Sequence, residues 1–189
     1  SRRCLAVQPE KFFGYYRTHM IYPDAAPNGA HRALAELERR GKLTGVVTQN
    51  IDGLHQAAGS MNVIELHGSV MRNYCVRCGR RYPLAYITES TGVPRCEACG
   101  ALVRPDVVLY GECLDGEAWS RAEEAISAAD VLIVGGTSLT VQPAASLVGL
   151  YEGDHLIIIN KTPTPYDGYA ETVIRDPIED VLESVVERL

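Results

Sequence analysis

The sequence predicts an α/β protein built on a parallel sheet and interrupted by one cysteine-bearing module. Short apolar runs with the length of strands alternate with segments whose apolar residues recur at helical spacing. This alternation is typical of parallel sheets, whose strands are joined by helices. From residue 71 to residue 104 the periodicity stops, and two Cys-x-x-Cys pairs take its place.

Start signals and apolar spacing predict five helices. Asn28 is a candidate N-cap, and Gly41 follows two arginines at the end of the same segment. Asp115 is expected to cap a later helix, and Asp176 with Pro177 to begin the last one. The predicted helices cover residues 29–41, 54–58, 115–129, 143–150 and 178–185. The aromatic segment 12–22 is either a helix packed on the core or one wall of a pocket.

Six strands are predicted, over residues 43–48, 63–66, 106–110, 131–134, 155–159 and 172–174. The fourth is an unbroken apolar run, a pattern typical of a strand that is buried on both faces, and the fifth is also expected to be buried. The strands at 43–48 and 63–66 are each followed directly by polar residues. Such residues are expected at the carboxyl ends of parallel strands, where α/β sheets bind their ligands.

Size and charge narrow the classes of protein to consider. A chain of 189 residues is expected to form one domain, or one domain with a small insert. Its net charge of −6 argues against nucleic acid as a partner, because phosphate binding needs a basic surface. No membrane span or signal peptide is recognisable, so we expect a cytoplasmic protein without a membrane partner, and a monomer by default. The chain begins with Ser1, and we expect it to be part of a longer translation product.

The cysteine pairs predict a zinc site. The ligands are Cys75, Cys78, Cys96 and Cys99. Two such pairs can bring four thiolates to one tetrahedral ion. Gly79 follows the first pair and Gly100 the second, at positions where a tight turn is needed. A redox dithiol or an iron–sulfur cluster are the alternatives. Cys4 and Cys113 stand apart, and we expect them to be small, buried or half-buried apolar residues.

Polar residues at the strand ends indicate a nucleotide site. They are Gln49, Asn50, Asp52 and His67 after the first two strands, Gly136, Thr137 and Ser138 after the fourth, and Asn160 after the fifth. A single histidine is more often structural than catalytic. Several polar side chains in one crevice, however, are costly unless a ligand satisfies them. We therefore expect a nucleotide there, with His67 as a base.

Five motifs in this order resemble the sirtuins, which are NAD-dependent protein lysine deacylases. They are Thr-Gln-Asn-Ile-Asp-Gly-Leu-His at 48–55, Glu-Leu-His-Gly at 65–68, the cysteine pairs, Arg-Pro-Asp-Val-Val-Leu-Tyr-Gly-Glu at 104–112, and Gly-Thr-Ser-Leu at 136–139. The similarity is greatest to the bacterial deacetylase branch and extends from about Pro9 to the last helix. It implies a Rossmann-like parallel sheet with helices on both faces, formed by residues 1–70 and 105–189, and a zinc-ribbon module at 71–104.

The resemblance also implies roles for individual residues. His67 is expected to be the general base, with NAD and Zn²⁺ as the cofactors and acetyl-lysine proteins or peptides as the partners. The implied NAD contacts are Gln49, Asn50, Ile51, Asp52, Gly136, Thr137, Ser138, Asn160, Lys161 and Ile178. The implied substrate contacts are Val108, Leu109, Gly111, Glu112 and Val141. The reaction removes acetyl from lysine and releases nicotinamide and O-acetyl-ADP-ribose.

Two departures from the sirtuin pattern affect these expectations. The glycine-rich loop that opens the family's sequences is absent, so we expect these 189 residues alone to bind NAD poorly or not at all. Desuccinylases carry an arginine at the position of Thr18 relative to Tyr15, so small neutral acyl groups such as acetyl are favoured here. The alternatives are a mono-ADP-ribosyltransferase and a non-catalytic fragment that binds zinc and peptide.

Overall fold

The computed structural model describes residues 1–189, and their backbone contacts divide into two units. Unit 1 consists of Ser1–Ala25, Gln49–Gly53 and His67–Asp115. Unit 2 consists of Ala26–Thr48, Leu54–Leu66 and Gly116–Leu189. Each unit is therefore built from three separate segments of the chain.

Seven helices and eight strands are present, with two short 3₁₀ helices. The helices are α1 (Arg2–Val7), α2 (Pro9–His19), α3 (Gly29–Arg39), α4 (Leu54–Ala57), α5 (Leu84–Thr88), α6 (Gly116–Ser127) and α7 (Ile178–Arg188). The strands are β1 (Val46–Thr48), β2 (Val63–Glu65), β3 (Gly68–Cys75), β4 (Arg81–Pro83), β5 (Val103–Val107), β6 (Val131–Gly135), β7 (His155–Ile159) and β8 (Thr172–Ile174). The 3₁₀ helices cover Ala144–Leu150 and Asp167–Tyr169. No helix combines the length and the apolar character needed to cross a bilayer.

Unit 1 is organised around an antiparallel sheet in the order β4-β3-β5. Strand β3 was not predicted, and β5 spans Val103–Val107, so the predicted strand at 106–110 was shifted toward the C-terminus. Pro105 lies inside β5, which is possible because an edge strand does not need every backbone N–H for the ladder. Beyond Val107 the chain leaves the sheet and forms a closed loop.

The aromatic segment of unit 1 forms helix α2 and packs on the core. Phe12, Phe13 and Tyr16 are buried on one face of the helix. Phe13 and Phe12 meet edge to face with ring centroids 5.2 Å apart, a favoured geometry for aromatic pairs. Tyr15, on the other face, is exposed. The segment therefore forms a helix packed on the core, the first of the two alternatives, through its buried face.

Unit 2 contains two parallel sheets, β1-β2 and β6-β7-β8. The helix predicted after Asn28 is confirmed as α3, and the Asn28 side chain accepts from the His31 N–H as an N-cap does. The first strand starts only at Val46. The residues predicted as a helix at 143–150 form a 3₁₀ helix at Ala144–Leu150, and α7 begins at Ile178 with Pro177 as the N-cap residue.

Strand β6 is less buried than predicted. Val131 is 47% exposed and Ile133 is 39% exposed, so the expectation that both faces of this strand are buried was wrong. The reason is its position, because β6 is an edge strand that pairs only with β7. Strand β7 lies between two neighbours, and its Leu156, Ile158 and Ile159 are buried, as predicted.

Candidate active site and metal centre

His67 lies between β2 and β3, and its imidazole is oriented by a backbone carbonyl. Its Nδ1 is 2.9 Å from the carbonyl oxygen of Gln49. A carbonyl oxygen can only accept a hydrogen bond, so this contact places the proton on Nδ1 in the neutral ring. Nε2 then carries the lone pair. The half-buried His67 side chain is therefore arranged to accept a proton at Nε2.

The backbone around His67 is fixed by close contact with β5. The Val108 N–H donates to the His67 carbonyl at 3.0 Å, and Gly68 pairs with Val107. Gly68 has φ +75°, and a Cβ built on it would lie 2.0 Å from the carbonyl oxygen of Asp106. Only glycine can occupy this position without displacing the neighbouring strand. Gly68 thus allows the close approach to β5 that fixes the backbone position of His67.

The Gln49–Gly53 segment belongs to the same unit as His67. The carbonyl of Ile51 accepts from the Val70 N–H at 2.9 Å, which ties the segment to β3. Asn50 is exposed, and Gln49 and Asp52 are half-buried. Unit 1 therefore brings four of the predicted cofactor residues together with the predicted base.

In unit 2, the predicted phosphate-binding residues form a glycine and hydroxyl turn after β6. Gly136 has φ +64°, and no atom lies within 4 Å of the place a Cβ would occupy. The Thr137 hydroxyl accepts from the Leu139 N–H at 3.2 Å, and the hydroxyls of Ser138 and Thr140 are 2.7 Å apart. The turn offers open space beside a backbone and three hydroxyls, a surface suited to phosphate or ribose oxygens.

The remaining predicted cofactor residues also lie in unit 2. Asn160 donates from its side chain to the carbonyl of Thr162 at 2.8 Å, so its amide stabilises the loop after β7. Lys161 is exposed. The Ile178 side chain lies so close to Gly135 that a Cβ there would be 2.2 Å from its Cδ1. Ile178 therefore lies directly beside the end of β6.

The four paired cysteines form one cluster. All of their sulfurs lie within 4.8 Å of one another, with distances of 3.4 Å for Cys75–Cys99, 3.6 Å for Cys78–Cys96 and 3.7 Å for Cys78–Cys99. A zinc tetrahedron with Zn–S bonds of about 2.3 Å has edges of about 3.8 Å, so the cluster has nearly the dimensions of a zinc site. Gly79 and Gly100 both have φ +71°, as expected for the turns after the pairs.

Hydrogen bonds shift the pKa values of individual cysteine thiols in the cluster. The Tyr82 hydroxyl donates to Cys96 Sγ at 3.2 Å, and this bond lowers the pKa of the Cys96 thiol to about 6. For Cys99, a backbone N–H from Ala101 lowers the pKa, but hydrogen bonds with the other sulfurs and burial raise it to about 11. Four sulfurs this close cannot all ionise without a cation between them.

The two remaining cysteines differ from each other. Cys4 is half-buried beside the unit 1 core, as expected. Cys113 is exposed, so the expectation for that residue was wrong. Its position explains the difference, because it lies in the turn between the loop that follows β5 and helix α6.

Comparison with known proteins identifies the family. A model of the Sir2 family matches residues 1–143. The chain is 54% identical over 185 residues to an NAD-dependent protein deacetylase of Cutibacterium acnes, covering 98% of this chain and 75% of that protein. A solved structure of Sir2 bound to acetylated peptide superposes with a TM-score of 0.93 at 39% identity, covering 100% of this chain and 82% of the other. A Sir2 homolog–NAD complex gives 0.91 at 39% identity, covering 100% and 75%.

The chain belongs to the Sir2 family. This confirms the sirtuin resemblance and the Rossmann-like α/β class with its cysteine module. The residues present also fit the two cofactors of the family. The sulfur cluster matches the size of a zinc site, and the Gly136 turn leaves the space that a larger side chain would fill.

The substrate residues predicted for this Sir2-family chain are divided between the units. Val108, Leu109, Gly111 and Glu112 form the loop after β5 in unit 1, and Val141 is exposed in unit 2. Leu109 is buried, and the Glu112 carboxylate is bound by Arg104. Sequence reasoning gave Arg104 no role of its own, although it opens the Arg-Pro-Asp motif. Tyr82 was also missed, because a lone tyrosine beside a cysteine pair carries no distinctive pattern.

Proposed function

We propose that the chain is an NAD-dependent protein lysine deacetylase and that His67 is its general base. The observation that carries the proposal is the contact between His67 Nδ1 and the Gln49 carbonyl. It leaves Nε2 as the proton acceptor, which is what general base catalysis requires. The Cutibacterium acnes relative is an NAD-dependent protein deacetylase, and the compared Sir2 structures hold acetylated peptide or NAD, which supports the same activity here.

The cofactor roles follow from the surroundings of each residue. Bound NAD supplies the ADP-ribose that takes the acetyl group, with nicotinamide as the leaving group. We assign residues 49–52, next to His67, to the nicotinamide and its ribose. We assign Gly136, Thr137 and Ser138 to the phosphate and ribose region, because that turn presents backbone and hydroxyls around open space. Asn160, Lys161 and Ile178 are assigned to the adenosine end.

The substrate is an acetyl-lysine peptide or protein segment. We assign Val108, Leu109, Gly111 and Val141 to direct contact with it, with the peptide paired as an added strand, and Glu112 to the support of the same loop. Recognition through backbone atoms depends little on side chains, so many flanking sequences are compatible with it. We further propose that the protein acts in the cytoplasm, where reduced cysteines are available to bind zinc, and that it acts as a monomer.

The general base can be tested by replacing His67. We expect His67→Ala to lower nicotinamide release and peptide deacetylation by about 100-fold or more, the usual contribution of a general base. The assay is run on the 189-residue chain and on the chain preceded by a glycine-rich segment of the family. Zinc content and melting temperature are measured in parallel, and both should be unchanged because His67 is not a zinc ligand.

His155→Ala is the matched control for this experiment. His155 is exposed, is paired with Glu171 at 2.9 Å, and has no role in the proposal. It should leave the rates within about twofold of the starting protein, as surface substitutions usually do. Deacetylation that survives His67→Ala at the same level would exclude His67 as the base.

A further inference from the structure

The loop after β5 is closed by an ion pair between Arg104 and Glu112. Arg104 Nη1 donates to Glu112 Oε1 at 2.6 Å, and Nη2 donates to Oε2 at 2.9 Å. This two-point contact has the geometry in which guanidinium and carboxylate bind most strongly. The side chains of Arg104 and Glu112 keep only 14% and 19% of their exposed surface, so water screens the pair weakly.

The same two side chains also hold the backbone of the loop. Nη2 of Arg104 donates to the Val107 carbonyl at 3.0 Å, and Glu112 Oε2 accepts from the Leu109 N–H at 2.9 Å. The Glu112 N–H donates back to the Leu109 carbonyl at 2.9 Å. The pair therefore fixes both ends of the turn between Val107 and Glu112.

The electrostatics agree with this geometry. The hydrogen bond from Arg104 lowers the pKa of the Glu112 carboxyl below its ordinary value, and the same bond raises the pKa of Arg104. Since the pKa of Glu112 is lowered, the ionised pair contributes fully above the ordinary carboxyl pKa of 4.5 and is lost only in more acidic solution. At neutral pH the loop is held closed.

The loop in turn contacts the proposed base. The Val108 N–H donates to the His67 carbonyl at 3.0 Å, and the Arg2 N–H donates to the Tyr110 carbonyl at 3.1 Å. Leu109 is buried, whereas Tyr110 is 87% exposed. The loop thus turns one side toward the core and the other toward solvent, and it lies next to His67, which directly precedes β3.

The contacts of Glu112 argue against a direct role in substrate binding. Both of its carboxylate oxygens are already bound inside the loop, by Arg104 and by the Leu109 N–H. Only 19% of the Glu112 side chain is exposed, so a peptide would find little of the carboxylate to contact. A group held in this way acts on the substrate through the shape of the backbone it supports.

We propose that Arg104 and Glu112 are positioning residues that preset the loop at 108–111 for an incoming acetyl-lysine peptide. This inference rests on the proposed function. Pairing with an extended peptide requires a backbone that is already ordered, because ordering it on binding reduces the affinity. The ion pair supplies that order before the peptide arrives.

The test compares two variants of the pair with a control. Glu112→Gln keeps the shape of the side chain but loses its charge, and Arg104→Lys keeps the charge but loses the two-point contact. We expect each to weaken binding of a fluorescent acetyl-lysine peptide about tenfold or more, the usual effect of losing a buried charged hydrogen bond. NAD binding, measured on the chain preceded by a glycine-rich segment of the family, should change less than about twofold, since the pair does not belong to the residues assigned to NAD.

The control is Arg72→Gln, and amide hydrogen exchange provides a second measurement. Arg72 in β3 pairs with Asp106 in β5, and both side chains are more than one third exposed. It should leave peptide binding unchanged. In Glu112→Gln the Leu109 amide should exchange faster, while the Val103 amide should keep its protection. A merely structural role would reduce stability and affect both amides and both ligands together.

The outcomes separate the inference from the function. If the starting protein binds the peptide and both variants bind it equally well, the positioning role is wrong and the deacetylase proposal stands. If both ligands are weakened equally, the pair is structural and the inference is likewise wrong. If the starting protein binds no acetyl-lysine peptide with or without NAD, the proposed function itself fails, and the inference fails with it.

Discussion

A single backbone carbonyl determines how His67 can act. The Gln49 carbonyl accepts from Nδ1, so the neutral ring has its lone pair on Nε2. Many catalytic histidines are oriented by a carboxylate, which also stabilises the charged ring. A carbonyl fixes the orientation with less charge stabilisation. The orientation of the imidazole therefore depends on the backbone positions of residues 49 and 67.

Tyr82 illustrates a residue that acts through a metal ligand. Its hydroxyl donates to Cys96 Sγ at 3.2 Å and accepts from the Glu97 N–H at 3.0 Å. We expect Tyr82→Phe to weaken zinc retention about tenfold to a hundredfold, as loss of a partner of a ligand commonly does. The measurement is the rate of zinc transfer to a chromogenic chelator.

Tyr86→Phe serves as the comparison for this zinc measurement. The rings of Tyr82 and Tyr86 are 4.2 Å apart, but the Tyr86 hydroxyl donates to the Arg95 carbonyl and not to a sulfur. It should change zinc release much less. Equal release rates from the two variants would show that the sulfur contact has no influence on the metal.

The motifs predicted which residues would be important but not which of their atoms. The position of His67 after a short apolar strand indicated a base, and the spacing of the cysteines indicated the sulfur cluster. The contact of His67 with the Gln49 backbone could not be predicted, because every residue type carries the same carbonyl. The role of Arg104 was hidden for a related reason, since its partner depends on where the loop at 108–112 closes.

At the scale of elements, β3 and β5 form the frame that carries His67. Their pairing is irregular, because Ser69 faces Asp106 while Asn73 faces Pro105. Strand β3 therefore contains several extra residues, which bulge between the two paired segments. The bulge mixes apolar and polar residues without a period of two, which explains why β3 was not predicted. The shift of β5 has a different origin, because the β-rich run at 106–110 continues past Val107, where the chain leaves the sheet.

Gly68 provides the test of this frame. In Gly68→Ala the new methyl would meet the Asp106 carbonyl, and the backbone would remain at φ +75°. We expect a loss of about 2 kcal/mol or more in the free energy of unfolding, from strain and displaced strand pairing together. The measurement is urea unfolding of the zinc-loaded protein.

Gly14→Ala is the control for the unfolding experiment. Gly14 lies in helix α2, and no atom is within 4 Å of the added methyl. Alanine should therefore raise stability by about 0.5–1 kcal/mol, since it is the better helix former. A Gly68→Ala protein as stable as the starting protein would show that β3 and β5 tolerate a wider separation.

At the scale of the whole molecule, the order of the motifs was more informative than any one of them. Their succession predicted the family and the α/β class, and both are confirmed. The number of strands in each sheet could not be predicted in the same way. The apolar run of β6 is typical of a buried strand, yet burial depends on which strands lie beside it. Neighbouring strands are a property of the fold and leave no trace in a five-residue segment.

The measurement that tests the central claim most directly is mass spectrometry of an acetyl-lysine peptide incubated with NAD. It is made on the 189-residue chain and on the chain carrying a glycine-rich segment of the family. We predict equal amounts of deacetylated peptide, nicotinamide and O-acetyl-ADP-ribose from the second protein, and about 100-fold less of each after His67→Ala. Peptide that stays acetylated while ADP-ribose becomes attached to protein, or the absence of any NAD-dependent product from either protein, would contradict the deacetylase function.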